Sequence, residues 1–307
     1  MMNELSAVSV TIPLPTDERD REAALRARFA AYWSTAKGTP RANFDSFISA
    51  TPIADGVSFE RVDNTVVHGW WARCAEPAPD GVILHLHGGG YVQGSADAFR
   101  PLASQIVGRT QLTTFVLDYP LAPEATLPTA VDAVMAAYDW LLTTANRIAI
   151  VGDSAGGGLA LALMSRLAQR GPQAIAGVLF SPWVDLAFAG ASMTDATIAD
   201  PLITYEHLQA YAQKYLGRAD PRDPLASPLY GDLSHLPPLL IQVGTDEHLL
   251  DDARRLADRA ARAGSPVRLE IWEGMHHVFQ LNVADLHTSR RALNHATAFL
   301  ASHVCGA

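Results

Sequence analysis

The sequence predicts an α/β fold with a mostly parallel central sheet, helices on both faces and a helical cap. Two observations predict it. From about residue 81, short aliphatic runs alternate with longer helical patterns, as expected of a parallel sheet covered on both faces. One of those runs also passes through GDSAGGG straight into an Ala/Leu-rich helical stretch, a sharp strand-to-helix turn made of small residues.

The apolar runs that read as strands lie at 82–86, 112–117, 147–151, 176–180, 239–243 and 267–271. Helical patterns fill the gaps at 97–109, 127–145, 154–170, 251–264 and 287–303. Pro128 stands in a first turn, where its missing N–H removes no hydrogen bond. Two segments fall outside the alternation. Residues 17–36 form an amphipathic pattern with acidic residues in its first turn, and 186–216 read as a helix pair. Both fit peripheral packing or a cap over the strand ends, and the sequence leaves the two readings open. Stretches 35–57 and 217–238 are rich in Pro, Gly, Asp and Ser and read as loops, not linkers. The expected organisation is therefore one domain over 1–307, with cap elements from about 1–50 and 186–216.

Composition excludes several function classes. Hydrophobic residues make up 49% of the 307 positions and charged residues 18%, which supplies a large core and argues against disorder. The net charge of −9, with no basic stripe, does not suit nucleic acid or an anionic membrane surface. The first residues, MMNELSAVSV, carry neither the basic nor the apolar region of a signal peptide. No apolar run approaches the roughly 18 residues of a membrane span. Cys74 and Cys305 are far apart and in no motif, so both are expected to be free thiols, as in a cytoplasmic protein.

The turn carries the chemistry. Gly152-Asp153-Ser154-Ala155-Gly156 fits G-x-S-x-G, and its setting between strand and helix strengthens an otherwise weak pentapeptide. A serine hydroxyl is a poor nucleophile until a histidine takes its proton and an acid orients that histidine. His87-Gly88-Gly89-Gly90-Tyr91 directly follows another strand. The N–H groups of Gly88 and Gly89, with that of Ala155 at the helix start, would form a three-donor oxyanion hole. The same loop nearly spells a phosphate loop but lacks its lysine. Two later strands end in GTDEHL, at 244–249, and GMHHVF, at 274–279, so serine, acid and histidine follow one another in the order of an α/β-hydrolase. His85 and His87 share a strand face but lack further ligands, so no metal is assigned.

HGGGY at 87–91, DYPLAPE at 118–124, GDSAGG at 152–157, DPLASP at 223–228 and GMHHVF at 274–279 appear in order. In these motifs the chain resembles the bacterial hormone-sensitive-lipase-like esterases, a branch of the α/β-hydrolases, over roughly residues 80–303. The resemblance implies the α/β-hydrolase fold, Ser154 as nucleophile, Gly88, Gly89 and Ala155 as oxyanion donors and His277 as base. His276 fits less well, because the family histidine stands two residues before the phenylalanine, here Phe279. The family's Asp-Pro-Leu-x-Asp is Glu247-His248-Leu249-Leu250-Asp251 in one alignment, while spacing from Gly244 admits Asp246. Glu247 is favoured as acid, with Asp246 as the alternative. Asp251 and Asp252 are expected to cap the next helix.

Pro120 replaces the arginine of the family's DYRLAPE, so an ion pair expected there is missing. Tyr91 and Trp183 are candidates for the substrate pocket, His87 for orienting the glycine loop, and Asp153 and Glu124 for fixing the elbow. The implied activity is hydrolysis of short- to medium-chain esters of small molecules, without a cofactor. DEHLLDD and GMHHVFQ also resemble relatives acting on monoterpene lactones or acetylated small molecules. A lactone or acetyl-amide hydrolase would use the same triad. A non-catalytic receptor on the same fold is disfavoured by the presence of His277. Family analogy adds a homodimer as the candidate assembly.

Overall fold

The computed structural model describes residues 7–304, apart from 79–80 and 172. Its strands are β1 (Val8–Ile12), β2 (Val57–Asp63), β3 (His68–Cys74), β4 (Gly81–Leu86), β5 (Thr113–Leu117), β6 (Arg147–Asp153), β7 (Ala176–Phe180), β8 (Leu239–Gly244) and β9 (Val267–Trp272). They form a nine-stranded sheet in the order β1-β9-β8-β7-β6-β4-β5-β3-β2. Only the β5–β3 and β3–β2 pairings are antiparallel. The helices are α1 (Arg19–Thr35), α2 (Pro40–Ile48), α3 (Ala96–Thr110), α4 (Thr129–Leu141), α5 (Ala155–Arg170), α6 (Tyr205–Leu216), α7 (Leu250–Arg262) and α8 (His287–Val304). None of them is long and apolar enough to cross a membrane.

Alternation along each strand divides the core in two, because successive side chains point to opposite faces. Ile83, Val116, Ala149, Val151, Val178 and Leu240 pack in one cluster with residues of α3 and α8. Leu84, Leu86, Phe115, Ile148, Ile150, Leu179 and Ile241 pack in the other with α4, α5 and α7. A third cluster joins Leu25 and Phe29 of α1 to Trp272 at the end of β9 and to Met275 and Phe279 beyond it. There Glu18 accepts from the backbone N–H of His287 and of Thr288, closing the first turn of α8 from outside.

Register positions the site. Leu86 lies opposite Gly152, Asp153 opposite Phe180, and Gly244 opposite Trp272. The loops after β4, β6, β7, β8 and β9 therefore leave the sheet along one edge, at the carboxyl ends of parallel strands, where ligands bind in such sheets.

Several expectations need correction. The 35–57 stretch is not all loop: Thr39 caps α2 through Ala42 N–H (3.2 Å), and Pro40 opens it. Over 186–216 there is one α-helix, α6, preceded by a short 3-10 turn at Ala191–Thr194. Within the 1–50 segment expected to cap the site, β1 instead pairs in parallel with β9 as part of the sheet. Asp251 and Asp252 do not cap their own helix. Asp251 accepts from Ser192 N–H and Asp252 from the N–H groups of Val184 and Asp185, tying α7 to the segment after β7. Burial, partly offset by the Val184 N–H, pushes Asp252 up to about 8. Cys74 is a free thiol, and Cys305 lies outside the described residues.

The start of α5 packs tightly against the sheet. A Cβ built on Gly156 would lie 1.9 Å from the carbonyl oxygen of Leu86, and that neighbour is backbone in a central strand. Gly156→Ala is therefore expected to destabilise the protein by about 2–4 kcal/mol, at or beyond the upper range for overpacking a core. Thermal unfolding checks this, and an unchanged melting temperature would contradict it.

Candidate active site

Only Ser154 separates β6 from α5, and it holds φ 52° and ψ −120°. This is a strained conformation for a residue with a Cβ, of the kind that persists only where surroundings enforce it. The enforcement is visible. Ser154 N–H donates to Phe180 O (2.9 Å), while Ser154 O accepts from Trp183 N–H (2.9 Å) and Gly158 N–H (3.2 Å). Ala155 is the first residue of α5, so its N–H has no acceptor within the helix.

The glycine loop after β4 runs beside this turn. Gly89, Gly90 and Tyr91 have φ of 119°, 61° and 64°. Gly89 O accepts from the N–H groups of Val92 and Gln93, both at 3.1 Å. His87 orients the loop: its Nδ1–H donates to Gly88 O (2.8 Å), and its ring stacks on Tyr119 at 4.3 Å. Burial holds its pKa below the ordinary histidine value, outweighing the Gly88 hydrogen bond.

The acid and the histidine meet beyond β8 and β9. His277 Nδ1–H donates to Glu247 Oε2 at 2.9 Å. With Nδ1 protonated, Nε2 of the neutral ring carries the lone pair. Glu247 is fully buried, and its Oε1 accepts from Gly244 N–H (2.6 Å) and from the Ser181 hydroxyl (2.8 Å). Burial opposes charge on His277. The hydrogen bond and charge of Glu247 outweigh it, with Asp200 and Asp153 adding, so its pKa lies above the ordinary histidine value.

Asp246 is not placed to orient His277. Its side chain is 41% exposed and pairs with Arg26 of α1 at 3.0 Å. His276 is likewise occupied elsewhere. Its Nε2 accepts from Asn282 Nδ2 (3.1 Å), leaving Nδ1–H for Glu22 of α1 (3.3 Å).

Ser154, His277, Asp153, Gly89 and Gly90 line one cavity of about 340 Å3. Trp33, Pro40, Phe44, Phe47 and Ile48 from the α1–α2 region and Leu202, Ile203, Leu208 and Tyr211 from the α6 region are among its other wall residues. Residues of both the 1–50 and the 186–216 segments thus line the cavity. Gly88 does not line it: a Cβ there would lie 2.2 Å from Asp153 Oδ2, so its open side faces that carboxylate. Tyr91 and Trp183 are not wall residues either. Tyr91 is 2% exposed and stacks on Tyr215 at 3.9 Å, and Trp183 is fully buried in the same core.

Glu124 does not fix the elbow. It pairs with Arg41 of α2 (2.6 Å), and Arg41 also donates to Ala122 O and Val92 O. Arg41, distant in sequence, thus supplies an ion pair to the 118–124 motif in which Pro120 replaces the arginine. Asp200 was not singled out from the sequence. It lines the cavity, and its Oδ1 accepts from Leu202 N–H (2.9 Å) and Ile203 N–H (3.2 Å). Burial holds its pKa above the ordinary aspartate value, against the opposing effect of His277. The Asp-Pro pair just ahead of the Thr204 helix cap was the available signal.

Known proteins resemble this chain in sequence and in fold. Residues 83–281 match the family model described as the alpha/beta hydrolase fold. An acetyl-hydrolase of Streptomyces hygroscopicus is 44% identical over 235 residues, covering 75% of this chain and 78% of that protein. An esterase of Acinetobacter venetianus is 38% identical over 233 residues, covering 74% and 77%. The crystal structure of an esterase from the bacterial hormone-sensitive lipase family, 38% identical, superposes with a TM-score of 0.88 over 93% of this chain and 98% of that one. With that fold, that order of motifs and these relatives, the chain belongs to the alpha/beta hydrolase fold family, in its hormone-sensitive-lipase-like esterase branch.

Proposed function

We propose that the protein hydrolyses short- to medium-chain esters of small molecules, with Ser154 as nucleophile, His277 as base and Glu247 as the acid that orients it. The observation that carries this reading is the buried Glu247–His277 pair opening onto the cavity that also holds the elbow serine.

Ser154 Oγ attacks the ester carbonyl as its proton passes to Nε2 of His277. The carbonyl oxygen becomes an oxyanion, received by backbone N–H groups. Gly89, Gly90 and Ala155 are the donors we assign, Gly90 replacing Gly88 because Gly90 lines the cavity and Gly88 faces Asp153. Donors of this kind contribute on the order of 3–4 kcal/mol each to the transition state. His277 then protonates the departing alkoxide, leaving an acyl-serine. Water attacks this ester, again giving its proton to His277, which returns it to Ser154 as the acid leaves.

Glu247 keeps Nδ1 protonated and stabilises the imidazolium formed in each half. The cavity, at about 340 Å3 and mostly apolar in its lining, suits a small ester better than a long triglyceride. The relative named acetyl-hydrolase supports acetyl among the accepted acyl groups.

The experiment is release of p-nitrophenol from acetate, butyrate, octanoate and palmitate esters. Activity should peak at acetate or butyrate and be lost on palmitate; a palmitate optimum would overturn the chain-length reading. Ser154→Ala is expected to lower kcat by about 10⁴-fold or more, and Glu247→Gln by about 10³-fold or more. Asp246→Asn breaks only a partly exposed ion pair and should stay within about fivefold of the parent. Equal losses at 246 and 247 would contradict the assignment of the acid.

The base must be neutral to act, so kcat/KM should rise with pH through the pKa of His277. That pKa is raised, so the acid limb should lie above the ordinary histidine value. In residual Glu247→Gln activity it should move to lower pH. A limb that stays in place would separate Glu247 from the titration.

A further inference from the structure

Ser181, the residue that follows β7, has a hydroxyl shared between the two halves of the acid–base pair. Its Oγ donates to Glu247 Oε1 at 2.8 Å and accepts from the backbone N–H of Val278 at 3.0 Å. Val278 directly follows His277. The side chain is fully buried, and Ser181 N–H donates to Gln242 O of β8 at 2.8 Å. One residue thus ties together the ends of β7, β8 and β9.

The backbone around it is unusual. Ser181 holds φ 46° and Val278 φ 49°. A left-handed conformation is rare for any residue with a Cβ and rarer still for a β-branched one. Two strained residues are therefore joined by one hydrogen bond beside His277, and such strain persists where the surroundings over-determine it.

We propose that Ser181 is a positioning residue, whose hydroxyl sets both the orientation of the Glu247 carboxylate and the path of the chain that carries His277. The proposal rests on Glu247 and His277 being acid and base. A hydroxyl has one proton to give. Because Oγ accepts from Val278, that proton goes to Glu247, and the direction of the bond is set. Oε1 then has two donors, Ser181 and Gly244 N–H, which stop the carboxylate from turning and leave Oε2 for His277. Removing the hydroxyl frees one oxygen of a buried carboxylate and strips Val278 N–H of its acceptor at the same time. Displacements of about 1 Å in such a pair lower rates by about 10²-fold.

Two substitutions test this, read by kcat, KM and melting temperature on p-nitrophenyl butyrate. Ser181→Ala keeps the Cβ and removes the hydroxyl. Ser181→Gly also removes the hydroxyl, but glycine adopts a φ of this kind freely, so it should be at least as stable as Ser181→Ala. The expected result is a fall in kcat of roughly 10- to 100-fold in both variants, with KM within about threefold of the parent. If Ser181 acts through Glu247, adding Ser181→Gly to Glu247→Gln should lower kcat little further, because residues acting as a unit are not additive.

Three results would overturn the proposal. One is kcat within about twofold of the parent in both variants. Another is a loss that follows melting temperature, recovering in the glycine variant. The third is full additivity with Glu247→Gln. The wider reading fails separately: if Glu247→Gln alone leaves kcat unchanged, the acid is misassigned, whatever Ser181 does.

Discussion

Between Asp153 and Ala155 the chain reverses from strand to helix through one residue, in a space that admits no side chain on the helix side. The carbonyl of Leu86 lies where a Cβ of Gly156 would be, and a Cβ on Gly152 would come within 2.3 Å of the carbonyl oxygen of Gly156. This contact brings the start of α5 against β4, and with it the glycine loop that follows β4. The Ser154 side chain is left facing the cavity, while its backbone is held from both sides by Phe180 and Trp183. The glycines at this crossing are thus a requirement of close approach between backbones, and the serine presented to the cavity is its consequence.

The groups around that serine come from separate strand ends, and the elements above the sheet hold them there. From α1, Arg26 pairs with Asp246 and Glu22 receives His276 Nδ1–H. These contacts fall one residue before Glu247 and one before His277. From α2, Arg41 grips the glycine loop and the 122–124 turn through Val92 O, Ala122 O and Glu124. The segments that roof the cavity are therefore also braces for the loops beneath, and the residues that compete in sequence for the roles of acid and base are the ones used as anchors.

Much of this was legible in the sequence, for physical reasons. Strands β4 to β9 announce themselves because both faces are covered, which makes them continuous aliphatic runs. Strands β1 and β2 do not, since they lie at the sheet edges and expose much of their length: four of the five residues of β1 face solvent. Strand β3 lies inside the sheet, but its sequence HGWWARC is not an aliphatic run. Helix α2 is short and lies in a Pro- and Ser-containing stretch, although the Thr39-Pro40 start was a readable cap. Ser154, His277 and Glu247 stood out through motif and order. The different surroundings of Asp246 and Glu247 were not legible, because only the fold turns one outward to Arg26 and the other inward. The same holds for Tyr91 and Trp183. Aromatic residues near a glycine loop look like pocket walls in sequence, and packing against Tyr215 and the core decides otherwise. Which glycine faces the cavity is likewise set by loop torsions that composition does not encode.

The central claim, that Ser154 is a nucleophile made reactive by this geometry, is tested most directly by covalent labelling. A short-chain alkyl p-nitrophenyl phosphonate mimics the tetrahedral intermediate and stays on the serine that attacks it. Intact mass with peptide mapping should show one equivalent on Ser154, with labelling strongly slowed in His277→Ala. Absence of an adduct, or an adduct on another residue, would contradict the account.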